Sequence, residues 1–329
     1  MIRLSGVELR RLVARRLTLI GVAGVLLITA IVLVATWNNA RPESQEQRRQ
    51  AQAQYEIAAE DWELHGAEYT KRCLEDYATL PDPKDPVEVY CQTNGPSIDQ
   101  FLKPKSVFSE VMPEQLLGAS YLLMFAAFLI GASFVGAEFS TGSIGNWLTF
   151  EPRRIRVYGS KLLAAAIGMV PVAVVVYAIL LVGTFLIIDQ LGITAGTTGK
   201  VWGDLTAQAG RGVLVTAVGA ALGGVVGLLL RHTAAAIGVA MGYIVLVEGV
   251  FGGFLTKLQP WLVKLNFDAW IQHDATYYVD SCQPTSDGGY GCSTITKTLT
   301  FEHGAWYLAI VTVVLVALGG FVFARRDIS

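Results

Sequence analysis

The chain has 329 residues; 53% are hydrophobic, only 16% are charged, and the mean hydropathy is +0.46. Soluble domains carry about 25% charged residues, so this composition excludes a disordered chain and argues against a soluble enzyme. The net charge of −2 supplies no bulk field for nucleic acid, which is not expected as a partner.

In chain order, residues 1–16 come first. Arg3, Arg10, Arg11, Arg15 and Arg16 are interleaved with Leu4, Val7, Leu9, Leu12 and Val13, against Glu8 alone. This predicts a basic amphipathic helix along the membrane face, attracted to anionic lipid by about 1 kcal/mol per basic residue. Six apolar runs follow, at 17–37, 116–137, 162–188, 210–230, 234–254 and 305–324. Each has about the 20 residues that cross hydrocarbon, and the crossings must be helical because lipid satisfies no backbone N–H or C=O. The first run exceeds the apolar core of a cleavable signal and reads as an uncleaved helix. Segments 1–16, 138–161, 231–233 and 325–329 together hold twelve Lys and Arg against four acids. The positive-inside rule makes these segments and both termini cytoplasmic, in a multi-pass protein of a bacterial cytoplasmic membrane.

On the opposite face, residues 38–115 form a large loop with 8 basic and 15 acidic residues. Pro42 suits a first helical turn. After it Tyr55, Ala59, Trp62, Gly66, Tyr69, Cys73 and Tyr77 recur every three or four residues, one stripe of a long helix. The stripe either packs against the rest of the loop, the preferred reading, or docks an extracytoplasmic partner. Pro81, Pro83 and Pro86 end the helix. A short outer loop spans 189–209, and a longer outer segment covers 255–304. There Leu258, Trp261, Leu262, Leu265 and Trp270 predict an interfacial amphipathic helix, followed by a turn at 286–289. All four cysteines fall on this side, where thiols oxidise. The local pairings Cys73–Cys91 and Cys282–Cys292 are preferred; without a close C-x-x-C pair, no metal site is expected.

The fourth run carries Gly219, Gly223 and Gly227, and the fifth carries Ala234, Gly238 and Gly242. Both are small-residue rows of the kind that lets helix backbones approach, either within one subunit (preferred) or between subunits. Glu248 is the acid inside a span, at a cost of roughly 2.5–3.5 kcal/mol. Gly249, Gly252 and Gly253 follow and predict a helix break at a cavity. Glu248 is then either a translocation or gate residue or a buried acid bonded to a neighbouring helix.

No catalytic constellation appears. Residues 194–201 approach a P-loop but put Thr where the first Gly belongs and Val where Ser or Thr should hold magnesium. There is neither H-E-x-x-H nor G-x-S-x-G, and the four histidines are scattered. No catalytic residue is assigned, and the chain is not expected to be an enzyme by itself.

The loop 138–161 is the most specific segment. It runs from Glu138 through Gly142 and a short apolar piece to Pro152, Arg153, Arg154 and a Gly-x-Lys ending at Lys161. That order, the closing Phe323-Ala-Arg-Arg-Asp-Ile328, the amphipathic start and the six spans resemble the ABC-2 type permease of ABC transporters. The likeness covers the membrane core and not residues 38–115. It implies an all-α polytopic protein of six transmembrane helices, of ABC-2 exporter type, with a large, mainly helical extracytoplasmic loop between helices 1 and 2. Residues 1–16 would be the connecting helix. Glu138, Gly142, Pro152, Arg153, Arg154 and Lys161 would couple to a separate ABC ATPase subunit, which would bind ATP and Mg; this chain would hold no cofactor. Residues 255–304 would hold outer re-entrant elements beside the exit gate at Glu248. A second permease subunit, in a homodimer or heterodimer, and membrane lipid complete the implied partners. The alternative is a membrane anchor or sensor whose outer loop binds a partner.

Overall fold

The computed structural model describes residues 2–79, 86–91, 94–140, 153–284 and 290–325. A short helix α1 (Ile2–Val13) precedes α2 (Arg16–Ala40), α3 (Gln45–Thr79), α4 (Phe108–Ser140), α5 (Arg154–Leu191), α6 (Gly199–Leu230) and α7 (Thr233–Gly242). Then come α8 (Val263–Gln272), the strands β1 (Ala275–Pro284) and β2 (Tyr290–Leu299), and α9 (Phe301–Arg325). Six stretches are long and apolar enough to cross a membrane: α2, α4, α5, α6, α7 with its continuation to Phe254, and α9. The protein is an all-α polytopic chain with one added β-hairpin among the described residues. Several helices outrun their apolar runs: α4 starts at Phe108 and α6 at Gly199. A helix satisfies its own backbone, so it need not stop at the hydrocarbon edge.

Two compact units form, one from residues 1–35, 108–186 and 194–329, the other from residues 36–107 and 187–193. The first is built on a seam between α4 and α6. A Cβ added at Gly223 would stand 2.0 Å from the Phe128 carbonyl oxygen, one at Gly227 2.5 Å from that of Ala132, and one at Gly131 2.0 Å from that of Ala220. Only glycine permits this approach, so the row in α6 is a packing seam inside one subunit. The row in α7 differs: a Cβ at Gly238 or Gly242 would meet nothing within 4 Å. Phe134, Leu162, Met169, Leu228 and Phe323 close the core beside the seam. Tyr158 of α5 joins α9 to it, donating its hydroxyl to the Val316 carbonyl at 2.7 Å and laying its ring over Gly319 and Gly320.

The helix does not break at Glu248. From Tyr243 to Phe251 it widens into nine residues of π-helix, with the Gly252 N–H donating to the Val247 carbonyl. Widening keeps backbone groups paired where a break would leave them bare. The anticipated amphipathic helix after residue 255 is two pieces instead, a 3₁₀ turn (Thr256–Trp261) and α8. Leu262 between them is extended, at ψ 148°, and Pro260 brings no N–H to a continuous ladder. Arg211 of α6 donates twice to the Ile271 carbonyl, at 3.1 and 2.8 Å, which satisfies an end carbonyl of α8. The strands pair antiparallel from Ala275 opposite Leu299 to Pro284 opposite Tyr290. Apolar patterning does not announce this hairpin, and its turn at 286–289 lies outside the described residues.

In the second unit α3 is one helix of 35 residues. Its start is a capping box: Ser44 Oγ accepts from the Gln47 N–H at 3.2 Å, and Gln47 Oε1 accepts from the Ser44 N–H at 2.9 Å. The aromatic stripe packs against the rest of the loop. Tyr55 meets Phe101 edge-on, Trp62 covers Gly66 and Gly95, and Tyr77 meets Tyr90. Cys73 and Cys91 form a disulfide. Gly95, at φ +76°, is required twice, since a Cβ there would also stand 2.7 Å from the Trp62 indole nitrogen. Pro81 and Pro83 lie outside the described residues.

Candidate functional site

The amphipathic pattern of the first residues produces α1, and its apolar face settles on α5. A Cβ at Gly168 would stand 2.5 Å from Leu12 and 3.1 Å from Leu9. Leu12 is fully buried there. That docking carries Glu8 inward. Lys161, near the start of α5, donates to Glu8 Oε1 at 2.9 Å and lies 2.5 Å from Glu138 Oε2 at the end of α4. The Lys161 and Glu8 side chains are 2% and 0% exposed. Arg11 Nη1 stands 3.7 Å from the other Glu138 oxygen. Arg15 donates to the Ser133 carbonyl at 2.9 Å. Its guanidinium lies 5.1 Å over the Phe134 ring, which also faces Lys161 at 5.6 Å. Burial holds the Arg15 guanidinium below its ordinary pKa, and the nearby Glu138 carboxylate counters part of that shift.

Three helices are therefore riveted by buried charge where the connection 141–152 leaves α4 and rejoins α5. The energetics are asymmetric: a complete buried ion pair adds little, but removing one partner strands the other and costs about 3–5 kcal/mol. Such a cluster holds geometry and performs no covalent chemistry. Of the residues singled out in the loop, Glu138 and Lys161 meet in the cluster. Arg153 and Arg154 stand at the start of α5, where Arg154 reaches the Ala324 carbonyl at 3.4 Å. Gly142 and Pro152 lie outside the described residues. Sequence reasoning missed Glu8, Arg11, Arg15 and Phe134 as cluster members. The available signal was Glu8 itself, a lone acid in an arginine-rich segment.

A second constellation surrounds Glu248. It accepts from the Tyr243 hydroxyl at 2.7 Å and from the Lys264 N–H at 3.2 Å. Lys264 Nζ reaches Asp268 at 2.9 Å, and the Tyr121 hydroxyl donates to the other Asp268 oxygen. Glu248, Gly249, Gly252 and Gly253 line one cavity of about 460 Å³ together with Gln259, Lys264, Asp268 and Asp280. A Cβ at Gly252 would stand 2.9 Å from Leu262, while Gly253 is open. Lys264 and Asp268 were not foreseen, because Glu248 lies 16 residues from Lys264 and the two meet only through the chain's return; Tyr243, five residues before Glu248 on the same helix, was also not foreseen.

The hairpin register sets Cys282 directly opposite Cys292; their side chains lie outside the described ones. Among the described residues no group of three or more His, Cys, Asp or Glu could hold a metal ion.

No curated protein and no solved structure matches the chain. The family model described as ABC-2 family transporter protein matches residues 3–328, a stretch that takes in all six apolar helices as well as α1, and the chain therefore belongs to that family of membrane transport proteins.

Proposed function

We propose that this permease is the transmembrane subunit of an ATP-driven exporter and that a separate ATPase subunit moves it through residues 138–161. The observation supporting this most directly is the Glu8–Lys161–Glu138 cluster. It ties α1, α4 and α5 together at the two roots of the loop, so force applied to the loop reaches three helices at once. The basic segments 1–16, 153–161 and 325–326 support a cytoplasmic position for this face, the side where ATP is available. ATP and Mg belong to the partner. Two permease subunits, identical or different, would enclose the path, and the cavity at Glu248 would lie on its far side as a gate.

Co-purification from membranes tests the loop. Wild-type chain should retain an ATPase subunit. Arg153→Glu with Arg154→Glu should reduce recovery roughly tenfold, the effect of losing one or two charge-assisted contacts. Full recovery and full transport in that double variant would refute the assignment. So would labelling of a cysteine placed within 141–152 by an impermeant reagent added from outside.

A further inference from the structure

The cations of residues 38–115 are unevenly placed. Four of the eight, Arg41, Arg48, Lys103 and Lys105, line one cavity of about 370 Å³ in the second unit. The rest of that loop is strongly acidic, yet Glu43 is the one carboxylate lining this cavity, and it accepts the Lys103 backbone N–H. Among the described residues none of the four cations lies within 4.0 Å of a carboxylate. Elsewhere in the loop the pattern is the opposite: Lys71 and Arg72 pair with Glu75 and Glu68 along α3.

The cavity also has a defined depth. Asn39 and Ala40 at the end of α2 and Leu191 at the end of α5 form its wall, so it sits where two membrane-spanning helices finish. Two helix C-termini together carry roughly one negative charge, which balances about one cation; Glu43 balances another. A surplus of positive charge faces open space. Arg41 is steadied over the Trp37 ring at 5.6 Å, an aromatic at the depth where headgroups begin.

We infer that this cavity binds a phosphate-bearing anion at the membrane surface, namely the phosphodiester of an anionic phospholipid headgroup. Guanidinium forks and ammonium groups converging from separate chain segments recognise phosphate oxygens through charge-assisted hydrogen bonds. A lipid held there by its phosphate would place its acyl chains in the hydrocarbon that α2 and α5 cross. The inference depends on membrane insertion, not on coupling to an ATPase.

Binding of short-chain phosphatidylglycerol and, separately, of inorganic phosphate to the purified full-length protein in neutral detergent tests it, with short-chain phosphatidylcholine as the zwitterionic control. Phosphatidylglycerol should bind more tightly than phosphatidylcholine and weaken at high salt. The variant Arg41→Gln, Arg48→Gln, Lys103→Gln, Lys105→Gln should lose roughly tenfold or more in affinity. Lys71→Gln with Arg72→Gln should lose nothing, and an intact Cys73–Cys91 bond on non-reducing digestion should show that both variants fold. Inorganic phosphate binding as tightly as the lipid, with the same sensitivity to the quadruple variant, would assign the site to free phosphate and overturn the lipid. Equal binding of the two lipids, or affinity unchanged in the quadruple variant, would overturn the site itself.

Discussion

At Lys161 one ammonium answers two carboxylates that water does not reach. Lys161→Met should therefore destabilise the protein by about 3–5 kcal/mol, read as a lowered midpoint of thermal unfolding in detergent. Adding Glu8→Gln and Glu138→Gln should restore most of that loss, because the stranded charges go with the lysine. A single variant as stable as wild type would show that the cluster is not closed to water. Glycine supplies a second contrast at this scale. Gly223→Ala places a methyl group against the Phe128 carbonyl and should cost about 1–3 kcal/mol by forcing α4 and α6 apart. Gly238→Ala points into open space and should be neutral or slightly stabilising. Equal effects in the two variants would contradict the seam.

Among the elements, α3 depends on what its stripe touches. A helix whose polar residues outnumber its apolar ones cannot hold 35 residues straight by propensity alone. The Tyr55, Trp62 and Tyr77 contacts and the Cys73–Cys91 bond supply the missing stabilisation. The bond closes a loop of 18 residues, worth about 3 kcal/mol on chain-entropy grounds. Cys73→Ser should accelerate amide hydrogen exchange in the last turns of α3 and leave α4 and α6 protected. Exchange unaltered in α3 would mean that the aromatic contacts suffice. In the hairpin, Cys282 and Cys292 are register partners, and directly opposed residues of an antiparallel ladder stand about 4.5–5.5 Å apart at Cα, a range a disulfide spans. Peptides containing them should migrate as one species after non-reducing digestion and as two after reduction.

For the whole molecule, the question is which surfaces the chain leaves uncovered. Half of the most apolar stretch of α6 is buried within the chain, against 6% for that of the span from Thr233 to Phe254. That span must be covered by lipid or by another subunit, and Glu248 lies on it. Glu248→Gln should depress transport while leaving ATPase co-purification intact, whereas Arg153→Glu with Arg154→Glu should lose both. A Glu248→Gln protein that transports normally would remove the residue from the gate and leave it a structural acid bonded to Tyr243.

The six crossings were legible because hydrophobicity over about 20 residues is a local quantity that lipid reads directly. The helical stripe from Tyr55 to Tyr77 and the Cys73–Cys91 pairing were legible for the same reason, being short-range patterns within one loop. The hairpin was not: polar strands of a small satellite core show no strong alternation, and Leu265, Ala269, Ala275 and Leu299 find each other only in space. Nor could periodicity distinguish a broken helix from a widened one at Glu248, since the glycines after it are compatible with both and the widening begins earlier, at Tyr243. The charge cluster lay furthest from view. Glu8 and Lys161 are 153 residues apart, and no spacing rule links a lone acid in a basic segment to a lysine at a distant helix start. Local free energies of transfer settled how often this chain crosses the membrane; the meeting of its buried charges depended on which helices pack together, which is decided by steric fit along glycine seams and not by any single segment.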